Sequence, residues 1–271
     1  MPCMPASDEI TGERMKTERI NGRNGYEIPC LNNTTGEEKQ VVIILHGFGS
    51  SKEGTTARSI AAALPKHGIG TYSFDFPAHG DSPVDGEMLR IDNCLDDLAA
   101  VEAHVKESMP DAEIAYFASS FGAYINLIYV STREHAGHRS FLRCAALDMP
   151  GIFRRNTSPK QRGQLESRGF VMLDMAGYVR PLKVTRGFLA DLDAYDVFRL
   201  YLSGRARFAM IHGTLDETAS IDAARRFSKK YCVPLTEMKG ADHGFNIPGG
   251  MERVIDEAVR FYSLKGKKAN I

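Results

Sequence analysis

The side chains best suited to do chemistry are a serine and the groups that could activate it. Ala118-Ser119-Ser120-Phe121-Gly122 stands where an apolar strand pattern, Ile114 to Phe117, gives way to a helical one, Ala123 to Val130. A serine presented on a strained strand-to-helix turn needs small residues two before and two after it, because backbone and neighbouring elements approach closely there. Centring on Ser120 puts Ala118 and Gly122 at those positions, whereas centring on Ser119 puts Phe117 and Phe121 there. The competing explanation is a serine hydroxyl that only caps the first N–H groups of a helix. As a nucleophile the hydroxyl is weak, and it needs a base within hydrogen-bond reach and a third group to orient that base. Two later loops offer both: His212-Gly213-Thr214-Leu215-Asp216-Glu217 and Gly240-Ala241-Asp242-His243-Gly244-Phe245 each follow a strand-like run.

The elements that must hold these loops alternate along the chain. Two Asn-Gly pairs, Asn21-Gly22 and Asn24-Gly25, mark an antiparallel hairpin between Lys16 and Leu31 at a sheet edge. Val41 to Leu45 is a mostly β-branched run that suits a strand buried on both faces, and it ends in His46-Gly47-Phe48-Gly49. A helix is expected from Thr55 to Leu64, stopped by Pro65, then a strand from Gly70 to Phe76 and a helix from Met88 to Ser108. After the serine segment, a strand is expected at Cys144 to Asp148, a helix at Phe188 to Leu202 and a strand at Phe208 to Ile211. A helix at Ile221 to Lys230, a strand at Leu235 to Met238 and a helix at Met251 to Leu264 complete the series. Such alternation implies an α/β fold, a mostly parallel sheet with helices on both faces, and chemistry at the carboxyl ends of its strands. Between Pro150 and Leu182 the alternation stops. Residues 150–182 are therefore expected to form a lid inserted into a core of residues 1–149 and 183–271.

Composition narrows the functional class. The 271 residues carry no formal net charge, which gives no electrostatic reason to expect nucleic acid or an anionic membrane as partner. Met1 to Arg14 has no apolar run of the kind a secretory signal requires, and no stretch approaches the length of a membrane span, so a cytoplasmic protein is expected. The cysteines, Cys3, Cys30, Cys94, Cys144 and Cys232, have no paired short spacing, which argues against a disulfide framework and a zinc knuckle. No metal is expected, since no His or Cys pair has ligand spacing with a third partner nearby. Association with a second copy of the chain is left open.

Five motifs in order make the chain resemble an α/β-hydrolase. His46 to Gly49 resembles that fold's oxyanion loop, Asp75 to Ser82 its Asp-x-Pro-x-His-Gly-x-Ser loop, and Ala118 to Gly122 its nucleophile elbow, with Ala118 in place of the usual first glycine. His212 to Asp216, and Asp242-His243, fall where the family carries its acid and its histidine, in the family order Ser, Asp, His. The resemblance implies Ser120 as nucleophile, His243 as general base and acid, and Asp216 as the group that orients it. It also implies an oxyanion hole from the backbone N–H groups of Phe48 and Phe121. Asp148 is the second candidate for the acid, ahead of Glu217 and Asp222. His46, His79 and His212 read as loop braces, and His67, His104, His135 and His138 as surface or helix-end residues.

The reaction this implies is hydrolysis of a carboxylic ester through an acyl-enzyme, without a cofactor, on a small-molecule substrate. The resemblance is closest to the branch holding feruloyl and cinnamoyl esterases, monoacylglycerol lipases and serine aminopeptidase-like hydrolases, whose site is covered by an insertion. That points to aryl, hydroxycinnamoyl or short-to-medium acyl esters, with Met172, Met175 and Tyr178 as candidate lining residues. Arg154 and Arg155 lie in a basic stretch and are candidates to receive an anionic substrate group. An amidase or peptidase would use the same machinery, and a binding protein on this fold is the third reading.

Overall fold

The computed structural model describes residues 15–264, so the leader Met1 to Arg14 and Cys3 lie outside the described residues. The expected hairpin is β1 (Lys16–Asn21) and β2 (Glu27–Asn33), followed by β3 (Gln40–Leu45), α1 (Thr55–Ala63), β4 (Gly70–Phe74) and α2 (Ile91–Ser108). Next come β5 (Glu113–Ser119), α3 (Phe121–Thr132), β6 (Arg139–Arg143), α4 (Met149–Asn156), α5 (Pro159–Arg168) and β7 (Phe170–Leu173). The chain continues through β8 (Leu182–Thr185), α6 (Arg186–Ala194), α7 (Val197–Leu200), β9 (Arg207–Gly213), α8 (Ile221–Tyr231), β10 (Leu235–Met238) and α9 (Gly250–Ser263).

Eight strands form one sheet in the order β1-β2-β4-β3-β5-β6-β9-β10. All neighbours from β4 to β10 pair in parallel, and only β2, near one edge, runs against the rest, antiparallel to both β1 and β4. Alternate residues of the central strands feed two cores. Val41, Ile43, Tyr116 and Ala118 pack with α2, α3 and α8, while Val42, Ile44, Ala115 and Phe117 pack with α1 and α9. Burial on both faces is why β3 reads as an unbroken apolar run rather than an alternating one. This is the α/β-hydrolase fold.

Two expectations need correction. The strand after α3 is Arg139–Arg143, not Cys144 to Asp148. The apolar run Cys144-Ala145-Ala146-Leu147 is a buried turn at the strand's exit, with Cys144 at φ 45°. The helix expected from Phe188 to Leu202 breaks into α6 and α7, because Asp196 turns its side chain back to accept from the Phe198 N–H at 2.8 Å and starts a new helix. Pro65 ends α1 as expected, but by tightening the chain into a 3-10 turn over Leu64–His67.

The segment between β6 and β9 carries α4 and α5 and a separate antiparallel ribbon of β7 and β8, registered Phe170 to Thr185 and Leu173 to Leu182. The ribbon therefore crosses the 182/183 edge set for the insertion. Its connecting loop lies over the carboxyl ends of the sheet: the Val179 N–H donates to Gly49 O at 2.8 Å, and the Arg180 guanidinium donates to the carbonyls of Gly80, Ser82 and Val84. Among the described residues no helix is long and apolar enough to cross a membrane.

Candidate active site

Ser120 links β5 to α3 with φ 54° and ψ −113°, a conformation few non-glycine residues adopt, which costs on the order of 1–3 kcal/mol held by its surroundings. Those surroundings are tight. A Cβ on Gly122 would sit 2.5 Å from Leu45 O and 2.6 Å from His46 O, so position 122 admits glycine alone, whereas Ala118 is accommodated fully buried. The Ser120 side chain makes no capping bond to α3, which removes the helix-cap explanation. Its Oγ instead lies 3.0 Å from His243 Nε2.

His243 Nδ1 lies 2.7 Å from Asp216 Oδ2, and because a carboxylate accepts, that nitrogen carries the proton and Nε2 faces the serine as acceptor. The other carboxylate oxygen, Oδ1, accepts from the N–H groups of Thr218 at 2.9 Å and Ala219 at 2.8 Å. Burial works against the Asp216 charge, but the hydrogen bonds from His212, His243 and the Ala219 amide overcome it and hold the carboxyl far below the usual range. The rival acid Asp148 is spent elsewhere, accepting from the Gly151 N–H at the start of α4 and pairing with Arg155.

The loop expected to supply one oxyanion donor is a turn. Ser50 N–H donates to Gly47 O at 3.1 Å with Gly49 at φ 77°, so Phe48 stands at the bend of a tight turn. Gly47 lies directly over the serine, its missing Cβ only 3.4 Å from Ser120 Cβ. Phe121 opens α3, and its N–H is one of the first-turn donors without a partner in the helix. The Phe48 ring packs edge-on to Phe121 and Phe153 and beside Tyr178, fixing the loop against both the elbow and the segment above it.

Beneath this loop a buried charge cluster joins two motifs. Lys52 Nζ contacts Asp75 at 2.9 Å and Asp81 at 2.6 Å, and Asp75 also accepts from the N–H groups of Lys52 and Asp81. Lys52→Met would strand the fully buried Asp75 charge, and breaking such a pair costs ~3–5 kcal/mol. The two amide bonds soften this, so urea unfolding should show a loss near ~3 kcal/mol; a loss within error of zero would contradict the role assigned to the cluster. His46 and His79 brace the same loops: Nδ1 of each donates to a backbone carbonyl, and burial pushes His79 down to about 3 and His46 down as well, so both are neutral.

Two cavities meet at the Ser120–His243 pair, divided by Tyr178 and the adjoining Ala176-Gly177. One, of about 530 Å³, is lined by Met149, Ile152, Phe153, Leu173 and Met175. The other, of about 840 Å³, has Ile44, Phe117 and Arg143 at its base and Ser50, Thr55 and Asn246 on its walls. Of the expected lining residues, Tyr178 borders both cavities and Met175 the first, while Met172 is exposed and borders neither. Arg154 and Arg155 are also outside both walls, exposed on α4 and paired with Asp193 and Asp148. Arg143, which sequence reasoning missed, is buried beside the His243 loop; the only sequence signal was an arginine directly before the apolar run Cys144 to Leu147.

Cys144, His212 and Asp216 place one potential ligand atom each within 4.8 Å of one another, the one such trio among the described residues. Their protons argue against a metal. Burial pushes the Cys144 thiol well above its ordinary range, and His212 Nε2 is committed to Ala219 O at 2.8 Å and to Asp216. His212 instead braces the acid, its Nε2 3.1 Å from Asp216 Oδ2.

No curated protein matches the chain in sequence. Among solved structures it is similar to a putative hydrolase from Agrobacterium vitis S4, at 20% identity and a TM-score of 0.77, covering 92% of this chain and 98% of that one. It is also similar to Est1E from Butyrivibrio proteoclasticus with ferulic acid bound, at 19% identity and a TM-score of 0.73 over 90% of this chain and 99% of that one. An esterase from Exiguobacterium antarcticum aligns at 15% identity and a TM-score of 0.68, over 92% and 100% of the two chains. At these identities the likeness shows the fold. A family model described as serine aminopeptidase, S33, matches residues 36–224, most of the chain, and the protein therefore belongs to this family of α/β-hydrolases.

Proposed function

We propose that the protein is a serine esterase that cleaves carboxylic esters through an acyl-enzyme. The observation that carries this reading is the continuous Ser120–His243–Asp216 chain, with contacts of 3.0 and 2.7 Å, at a serine that does not serve its helix. Ser120 Oγ attacks the carbonyl carbon while its proton passes to His243 Nε2. Asp216 stabilises the imidazolium. The Phe48 and Phe121 amides receive the oxyanion, the C–O bond breaks, and the alcohol leaves with the proton from His243. Water then repeats the sequence on the acyl-Ser120 ester and releases the acid. Every proton moves between substrate, water and these side chains, so the cycle needs no cofactor.

The apolar cavity beside Phe153 and Met149 suits an aryl, hydroxycinnamoyl or short-to-medium acyl group, and ferulic acid bound to Est1E illustrates one such ligand in a protein of the same fold. The family's aminopeptidase description favours a second reading, amide cleavage by the same groups. Paired p-nitrophenyl esters and anilides of identical acyl chains separate the two. Turnover of esters, methyl ferulate included, with anilides far slower supports the esterase, and comparable kcat/KM for both members of each pair would overturn it.

A further inference from the structure

We propose that Arg143 is a positioning residue for the candidate base, its guanidinium clamping the His243 loop to the elbow. The proposal rests on the esterase reading above. One arm, Nη1, donates to Ser119 Oγ at 3.0 Å, and the other, Nη2, donates to the backbone carbonyl of His243 at 2.8 Å. The charged plane lies 4.9 Å over the Phe245 ring, and the residue's own carbonyl accepts the Ser120 N–H at 2.9 Å. Arg143 thus touches the residue before the nucleophile, the nucleophile's own amide, the backbone carbonyl of the base and the ring two residues beyond it.

Its chemistry is unusual for its place. Arg143 follows Phe141 on the face of β6 that packs against α1 and α9, where neighbouring positions are apolar. It is 3% exposed, its Nε has no hydrogen-bond partner, and no carboxylate among the described residues lies within ion-pairing distance. A buried cation with no carboxylate in contact, only Asp216 and Asp242 at longer range, is costly, and an aliphatic side chain would fill the same space without that cost. What an aliphatic side chain could not do is hold two acceptors in a fixed fork. The loop it holds needs support: Phe245 sits at φ 60°, a strained conformation two residues beyond the base. Arg143 grips that loop at His243 O and at the Phe245 ring, which fixes the imidazole against Ser120.

Arg143→Ala is compared with wild type on p-nitrophenyl acetate and with a fluorophosphonate probe, after circular dichroism has shown that both are folded. Displacing a reacting group by about 1 Å can cost ~100-fold, so kcat should fall about 100-fold with KM within about twofold, and probe labelling should slow in parallel. Methylguanidinium, admitted through the cavity that Arg143 borders, should restore part of kcat to the alanine variant and leave wild type unchanged. A folded variant with wild-type kcat, or a loss confined to KM or thermal stability, would overturn the proposal. Should Arg143→Ala fail to fold, Ser119→Ala is read the same way: it removes one anchor, so a several-fold loss in kcat at constant KM supports the clamp and no loss overturns it. Wild-type enzyme that fails to label overturns the esterase reading itself, whereas normal labelling of both forms overturns the clamp alone.

Discussion

Ser120→Ala and His243→Ala should each lower kcat by about six orders of magnitude, and the double variant should be no worse than either. The non-additivity follows from the geometry. Ser120 Oγ and His243 Nε2 share one hydrogen bond at 3.0 Å, so removing either leaves a hydroxyl with no base or a base with nothing to deprotonate. What survives, on the order of 10³–10⁴ over water, comes from binding and the oxyanion donors, which neither substitution touches. Burst-phase assays on p-nitrophenyl acetate check this: wild type should release a burst of nitrophenol as acyl-enzyme accumulates, and neither variant should. Effects that multiply in the double variant would mean the two side chains act separately.

Asp216→Asn should leave KM near wild type and lower kcat about 10⁴-fold. The amide has nearly the shape of the carboxylate and can keep an acceptor for the N–H groups of Thr218 and Ala219, so the loop stays folded. Its NH₂ facing His243 Nδ1 would instead favour the tautomer with the proton on Nε2, leaving the serine no acceptor. Acid stability should change as well. The folded carboxyl of Asp216 is depressed below its unfolded value, so the stabilisation it brings is fully present above about pH 4 and is lost as pH falls through the folded value. Unfolding followed from pH 7 down to pH 2 should therefore show a shallower loss in Asp216→Asn than in wild type. Parallel curves would mean that the Asp216 environment does not favour its charge.

How much of this was legible in the sequence depended on how local the constraint was. The elbow could be read because the turn excludes bulk at two fixed offsets, and Gly122, pressed against Leu45 O and His46 O, shows how strict that exclusion is. The buried strands β3 and β5 were legible from unbroken apolar runs. β6 was displaced by several residues in the reading because it begins and ends in arginine, while the apolar turn after it, Cys144 to Leu147, imitates a strand. Arg143 escaped notice for a related reason: a buried charge is explained only by groups 24 and 100 residues away in the chain. The ribbon of β7 and β8 was invisible because its four-residue strands carry too little alternation to register and are joined across the edge assigned to the lid. The two-chambered site, split by Tyr178, follows from the Val179 N–H reaching Gly49 O, a long-range bond that no local pattern announces.

The most direct test of the central claim is intact mass after treatment with a fluorophosphonate, which reports an activated serine whatever its natural substrate. Wild type should gain one adduct, mapped by peptide digestion to Ser120, and Ser120→Ala should gain none. An unmodified wild type, or an adduct that persists in Ser120→Ala, would contradict the assignment of Ser120 as the nucleophile.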